Sequence, residues 1–65
     1  MKLNRYEGKN VQVICNSGKT FLGKVTDYIS AEDNEPEGES IILRTLQGVL
    51  IEFRPEEIKV IEVFV

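Results

Sequence analysis

Val11 to Ile29 reads VQVICNSGKTFLGKVTDYI. Two runs of β-forming residues, apolar at alternate positions, flank Asn16-Ser17-Gly18, and a period of two is the repeat of a strand with one buried face. Val11, Val13 and Cys15 fall on one face and Gln12 and Asn16 on the other, with Ile14 interrupting the polar side. Asn, Ser and Gly in succession suit a tight turn, because they tolerate the left-handed backbone that hairpins need. Beyond the turn, Phe21, Gly23 and Val25 continue the core face, while Leu22, Lys24, Thr26 and Tyr28 point the other way. A glycine inside a strand marks a bulge, a sharp bend or a close approach of another backbone. The stretch is therefore expected to be a hairpin, with Gly23 marking one of these three features in its second strand.

Before the hairpin, Leu3 and Tyr6 are spaced for a single helical turn that Gly8 ends, too short to stand without tertiary contacts. Their expected role is to cover one open end of a barrel. After it, Ser30 to Ser40 (SAEDNEPEGES) holds nothing apolar larger than Ala31 and cannot fold by its own burial. Ile41–Thr45 reads as a third strand, Leu46-Gln47-Gly48 as a tight connection, and Val49–Arg54 as a fourth strand. Pro55-Glu56-Glu57 reads as one short turn started by proline, and Lys59–Val65 as a fifth strand docked by Ile58. Five short strands with no long helix predict an all-β fold, closed or nearly closed into a small barrel, which removes the exposed edges of an open sheet.

With 65 residues the chain is expected to be one domain, residues 1–65, near the lower limit for a self-sufficient apolar core. A single cysteine and no histidine exclude a disulfide or a zinc cage as reinforcement, so self-association is the expected supplement. The formal charge of -3 is unevenly spread: Glu32, Asp33, Glu35, Glu37 and Glu39 lie within one short loop, and outside it eight basic residues face six acidic ones. That balance is compatible with a nucleic acid or with a basic protein partner. The N-terminus MKLNRYEGKN lacks the apolar run of a signal peptide, and no stretch approaches a membrane span of about 18 apolar residues, so a cytoplasmic protein is expected. Cys15, with no histidine to activate it, reads as a small buried hydrophobe.

The motifs that could carry chemistry are incomplete. Ser17-Gly18-Lys19-Thr20 ends like a phosphate-binding P-loop, but position 13 is valine rather than glycine and a strand follows instead of a helix. Asp33-x-Glu35-x-Glu37-Gly38 has the alternating oxygens of a calcium loop, yet its twelfth position is Arg44 and no helices flank it. Every acid lies in a loop, in the Pro55 turn or on a polar strand face, whereas acid–base work needs one carboxylate pKa raised by burial. Neither an enzyme, a metal nor a cofactor is expected. Lys9, Lys19, Lys24, Arg44, Arg54 and Lys59, interleaved with Tyr6, Phe21, Tyr28 and Phe53, have the composition of a cationic track with stacking platforms, or equally of a core ringed by solubilising lysines.

The pattern resembles the Sm and Sm-like (LSm) proteins. Their first segment is similar to Gly8-Lys9-x-Val11-x-Val13, Gly18 and Phe21-x-Gly23-x-Val25-x-x-Tyr28, and their second to Phe53-Arg54-Pro55-x-x-Ile58-x-x-Ile61; together these span nearly the whole chain. The loop composition resembles that of short bacterial LSm-like proteins. The resemblance implies a strongly bent five-stranded Sm-like (SH3-like) barrel that assembles into rings and binds single-stranded RNA. Of the family's RNA-binding residues it carries over Arg54. Ile29 stands where the family usually has aspartate, its asparagine falls near Asn34, Glu39 or Ser40, and Pro55 replaces a glycine, losing an N–H and fixing φ.

The last strand points to the mode of assembly. Lys59-Val60-Ile61-Glu62-Val63-Phe64-Val65 is apolar on both faces, whereas solvent-exposed edges are normally blunted by charge, proline or a bulge. Ile61, Val63 and Val65 are expected to fill the core, leaving Val60 and Phe64 flanking Glu62 for a neighbour whose fourth strand offers Leu50 and Glu52. The expected function is thus a non-enzymatic, homo-oligomeric interaction module with single-stranded RNA as its ligand. The rival is a scaffold that takes a basic protein partner through the acidic loop 31–40 (Glu32, Asp33, Glu35, Glu37, Glu39).

Overall fold

A computed structural model describes residues 2–64 of the chain. It is all-β. Strands β1 (Asn10–Cys15), β2 (Thr20–Ile29), β3 (Ser40–Thr45), β4 (Leu50–Phe53) and β5 (Ile58–Val63) form one antiparallel sheet in the order β4-β3-β2-β1-β5. The helical content of the described residues is two 3-10 turns, Asn4–Tyr6 and Pro55–Glu57, at the two places where short turns were expected. The third strand starts one residue earlier than expected, at Ser40. The fourth is shorter at both ends, and the fifth begins at Ile58; Val65 lies outside the described residues.

Val11, Val13, Val25, Ile41 and Leu43 are fully buried on one face of the sheet, joined by Cys15, Phe53 and Ile58. Leu3 is fully buried too, so the N-terminal turn does cap the core, and Tyr6 packs beside it. Gly8 N–H donates to Val25 O at 2.8 Å and Val25 N–H to Lys9 O at 2.9 Å, which ties this segment to the middle of β2. At Gly23 a Cβ would lie 2.1 Å from the Arg44 carbonyl oxygen, so glycine permits the approach of β2 to β3 that the sequence suggested.

Tyr28 departs from its expected outward orientation. Val25 pairs with Leu43 and Asp27 with Ile42, which makes Thr26 the extra residue of a β-bulge. That residue shifts the alternation by one, so Tyr28 pairs with Ile41 and packs against the core. Phe21 is half-buried rather than fully enclosed: it sits near the start of β2, its ring 5.6 Å from that of Phe53 and tilted by 53°. Because β2 and β4 are separated by β3, this contact requires a strongly curved sheet. Val63, expected in the core, is 53% exposed. It pairs with buried Val11, but β5 is an edge, and among the described residues no strand on its far side covers it.

β4 and β5 are the two edges of the sheet, yet only Arg54 and the Pro55–Glu57 turn join them. Asn16 N–H, one residue beyond β1, donates to Glu57 O at 3.0 Å and so carries the β1–β5 pairing into that turn. The sheet is nevertheless not closed into a barrel, since no ladder joins β4 to β5. Hydrogen-bond alternation supplies a reason. Thr45 N–H donates to Val49 O, so Leu43–Ile51 and Ile41–Phe53 are the bonded pairs, and Leu50 and Glu52 turn their N–H and C=O groups to the free edge. Phe64 N–H donates to Asn10 O, so Val60 and Glu62 bond to β1, and Ile61 and Val63 turn outward. The outward-bonding residues of β4 have their side chains on the convex face, and those of β5 on the concave face. Residues directly opposite in a ladder share a face, so the two edges of one chain are out of phase.

Candidate functional site

Arg54 follows β4, one step beyond the Ile41–Phe53 pair, and is half-buried. Its backbone N–H donates to Glu57 Oε1 at 2.8 Å, and Glu57 N–H returns a bond to Arg54 O at 3.0 Å, closing the proline turn on itself. The Nε of Arg54 is buried and has no hydrogen-bond partner among the described residues. Buried donors are nearly always paired, and for this one the described residues supply no acceptor.

The acidic loop divides into two parts. Glu32, Asp33, Glu35 and Glu37 are exposed. Glu39 is half-buried and turned inward: its Oε1 accepts the Tyr28 hydroxyl at 3.0 Å and the Leu3 N–H at 3.3 Å. Withdrawal from water, and then the hydrogen bond to this carboxylate, push the Tyr28 hydroxyl above its ordinary pKa, so it stays a donor through neutral pH. Beside this clamp Asn34 Nδ2 donates to Gly38 O at 2.8 Å and to Ser40 Oγ at 3.4 Å, and the fully buried Ser40 donates to Glu52 Oε2 at 2.7 Å. Asn34, Glu39 and Ser40, the three positions nearest the family's asparagine, thus all serve the loop's own structure. Among the described residues no group of three His, Cys, Asp or Glu is placed to hold a metal.

The rings of the supposed cationic track belong to the core: Phe53 is buried, and Tyr6, Phe21 and Tyr28 pack against it. The cations Lys9, Lys19, Lys24, Arg44 and Lys59 are exposed, with Lys24 directly opposite Arg44. The edge residues are the more distinctive surface. Leu50 on β4 is 64% exposed, and Val60, Val63 and Phe64 on or just beyond β5 are all exposed, with Glu62 among them.

One feature escaped the sequence altogether. A hollow of about 370 Å³ lies between the first hairpin turn and the β4 edge, lined by Cys15, Asn16, Ser17, Phe21, Ile51, Glu52, Phe53 and Glu57. Asn16 closes one end, its side-chain amide donating to Glu56 O. The lining comes from four separate segments, so no local spacing could have disclosed it. No helix among the described residues is long and apolar enough to cross a membrane. No family model matches the chain, and no curated protein or solved structure shows significant similarity to it.

Proposed function

We propose that the chain is a cytosolic, non-enzymatic interaction module of LSm-like type, a small bent barrel left open between β4 and β5, that works as a homo-oligomer joined between the β4 edge of one copy and the β5 edge of the next. The observation that carries this reading is a pair of sheet edges that each expose apolar side chains: Leu50 on β4, beside Glu52, and Val60 and Val63 on β5, beside Glu62, with the bulge of β5 confined to Lys59 at its start. Pairing of two different edges is heterologous, so it closes into a ring or runs on as a filament. Phe64→Lys, or truncation after Glu62, should shift the assembly toward monomer and lower thermal stability together, since association and folding are linked by mass action. Wild-type protein sedimenting as a monomer at high micromolar concentration would overturn the reading.

Arg54, half-buried at the end of β4, is the residue placed to meet a ligand rich in acceptors, and single-stranded RNA supplies the phosphate and base oxygens that a guanidinium takes. Binding of a labelled oligonucleotide pool should weaken with salt and in Arg54→Ala. Absence of binding at low salt would instead favour a scaffold that takes a basic protein partner through Glu32, Asp33, Glu35 and Glu37.

A further inference from the structure

Two exposed cations, Lys24 and Arg44, stand directly opposite one another in the middle of the sheet. The backbone holds them there. Val25 exchanges its backbone bonds with Gly8 and Lys9, and Thr45 bonds toward β4, so Lys24 and Arg44 are a hydrogen-bonded pair with Cα atoms about 5.5 Å apart. Beside them Gly23 lets the two backbones close up, since a Cβ there would strike the Arg44 carbonyl. Like charges directly opposite in a ladder repel. Their neighbours on this convex face offer little relief: Asn10 lies beyond Lys24 and Leu50 beyond Arg44 in the same cross-strand row, and Leu22 and Ile42 flank them along the strands. The carboxylates a diagonal step away, Asp27 and Glu52, accept bonds from Thr26 and Ser40. Asn10, Lys24, Arg44 and Leu46 rim a hollow of about 240 Å³ over this row.

We infer that the Lys24–Arg44 pair is a binding site for a phosphate group. A guanidinium fork takes two oxygens of one phosphate side by side, an ammonium adds a second charge at no fixed angle, and the Asn10 amide adds a neutral donor. A carboxylate has only two oxygens, which the fork would use, leaving Lys24 unmatched. A tetrahedral anion has oxygens for both cations, and so replaces a repulsion with two charge-assisted contacts. The site is separate from Arg54. Leu50 is opposite Arg44, and Arg54 is four residues further along the extended chain, or roughly 13 Å. The pair can therefore bind phosphate whether or not Arg54 meets RNA.

Inorganic phosphate is the first probe. Titrated into the whole chain against chloride at equal ionic strength, it should raise the thermal midpoint by several degrees at saturation and move the backbone amide resonances of Asn10, Lys24 and Arg44. Lys24→Gln and Arg44→Gln should each abolish both responses, whereas Arg54→Ala should keep them. In dilute chloride Lys24→Gln should melt no lower than wild type, because the repulsion is gone, and phosphate should reverse that order. Two further ligands distinguish the sources of the phosphate. If phosphodiesters are taken, a single-stranded oligonucleotide without a terminal phosphate should displace inorganic phosphate, and Lys24→Gln should weaken its binding severalfold and lower the salt slope by about 1. If monoesters are taken, a nucleoside monophosphate alone should displace it. Phosphate and chloride acting alike, or a phosphate response that survives both Gln variants, would overturn the site and leave the two cations as solvated side chains.

Discussion

The turns Asn16-Ser17-Gly18 and Leu46-Gln47-Gly48 are built from the same hydrogen bonds. In each, the glycine N–H donates to the carbonyl three residues back at 2.9 Å, and the last strand residue donates across the turn at 2.8 Å: Cys15 to Lys19 O in one, Thr45 to Val49 O in the other. Both glycines are left-handed, with φ of 94° at Gly18 and 86° at Gly48. Their surroundings differ completely. The first turn docks on the proline turn through Asn16 and closes one end of an apolar hollow. The second carries Leu46 at 73% exposure, with Val49 and Leu50 also in solvent. Local backbone chemistry builds a hairpin turn wherever it is placed, but whether the turn holds the fold together depends on what the sheet's curvature brings to it.

Five substitutions probe that contrast. Gly23→Ala should be the most damaging, because the added Cβ would meet Arg44 backbone rather than a side chain that could move; a loss of about 3 kcal/mol is expected in urea unfolding. The same change at Gly18 and at Gly48 meets nothing within 4 Å, so only the left-handed φ is penalised. Each should cost about 1 kcal/mol, and a clear inequality would show that surroundings enter even the turn's backbone energy. Asn16→Ala removes the side-chain half of the docking and leaves its N–H bond to Glu57, so a loss near 1 kcal/mol is expected, with the thermal midpoint as the measure. Leu46→Ser, in the undocked turn, should stay within about 0.5 kcal/mol of wild type in dilute, monomeric protein. A larger loss there would mean that Leu46 is covered in the working state.

The five strands, both hairpin turns and the two short helical turns follow from residue spacing alone. Alternation along Val11–Val13–Cys15 and Ile41–Leu43, glycines where φ must be positive, and a proline opening Pro55–Glu57 are all local constraints that act before any long-range contact forms. Gly23 too is legible as a special position, and the structure selects close approach to β3 from the three readings a mid-strand glycine allows. What the sequence could not specify begins at Thr26: a bulge is one residue of freedom in pairing with β3, and it alone decides that Tyr28 joins the core and reaches Glu39. The inward turn of Glu39, the exposure of Val63 at an uncovered edge and the four-segment hollow have the same origin. Each depends on where a curved sheet stops, and curvature sums over every strand pair, so no single stretch of the chain encodes it.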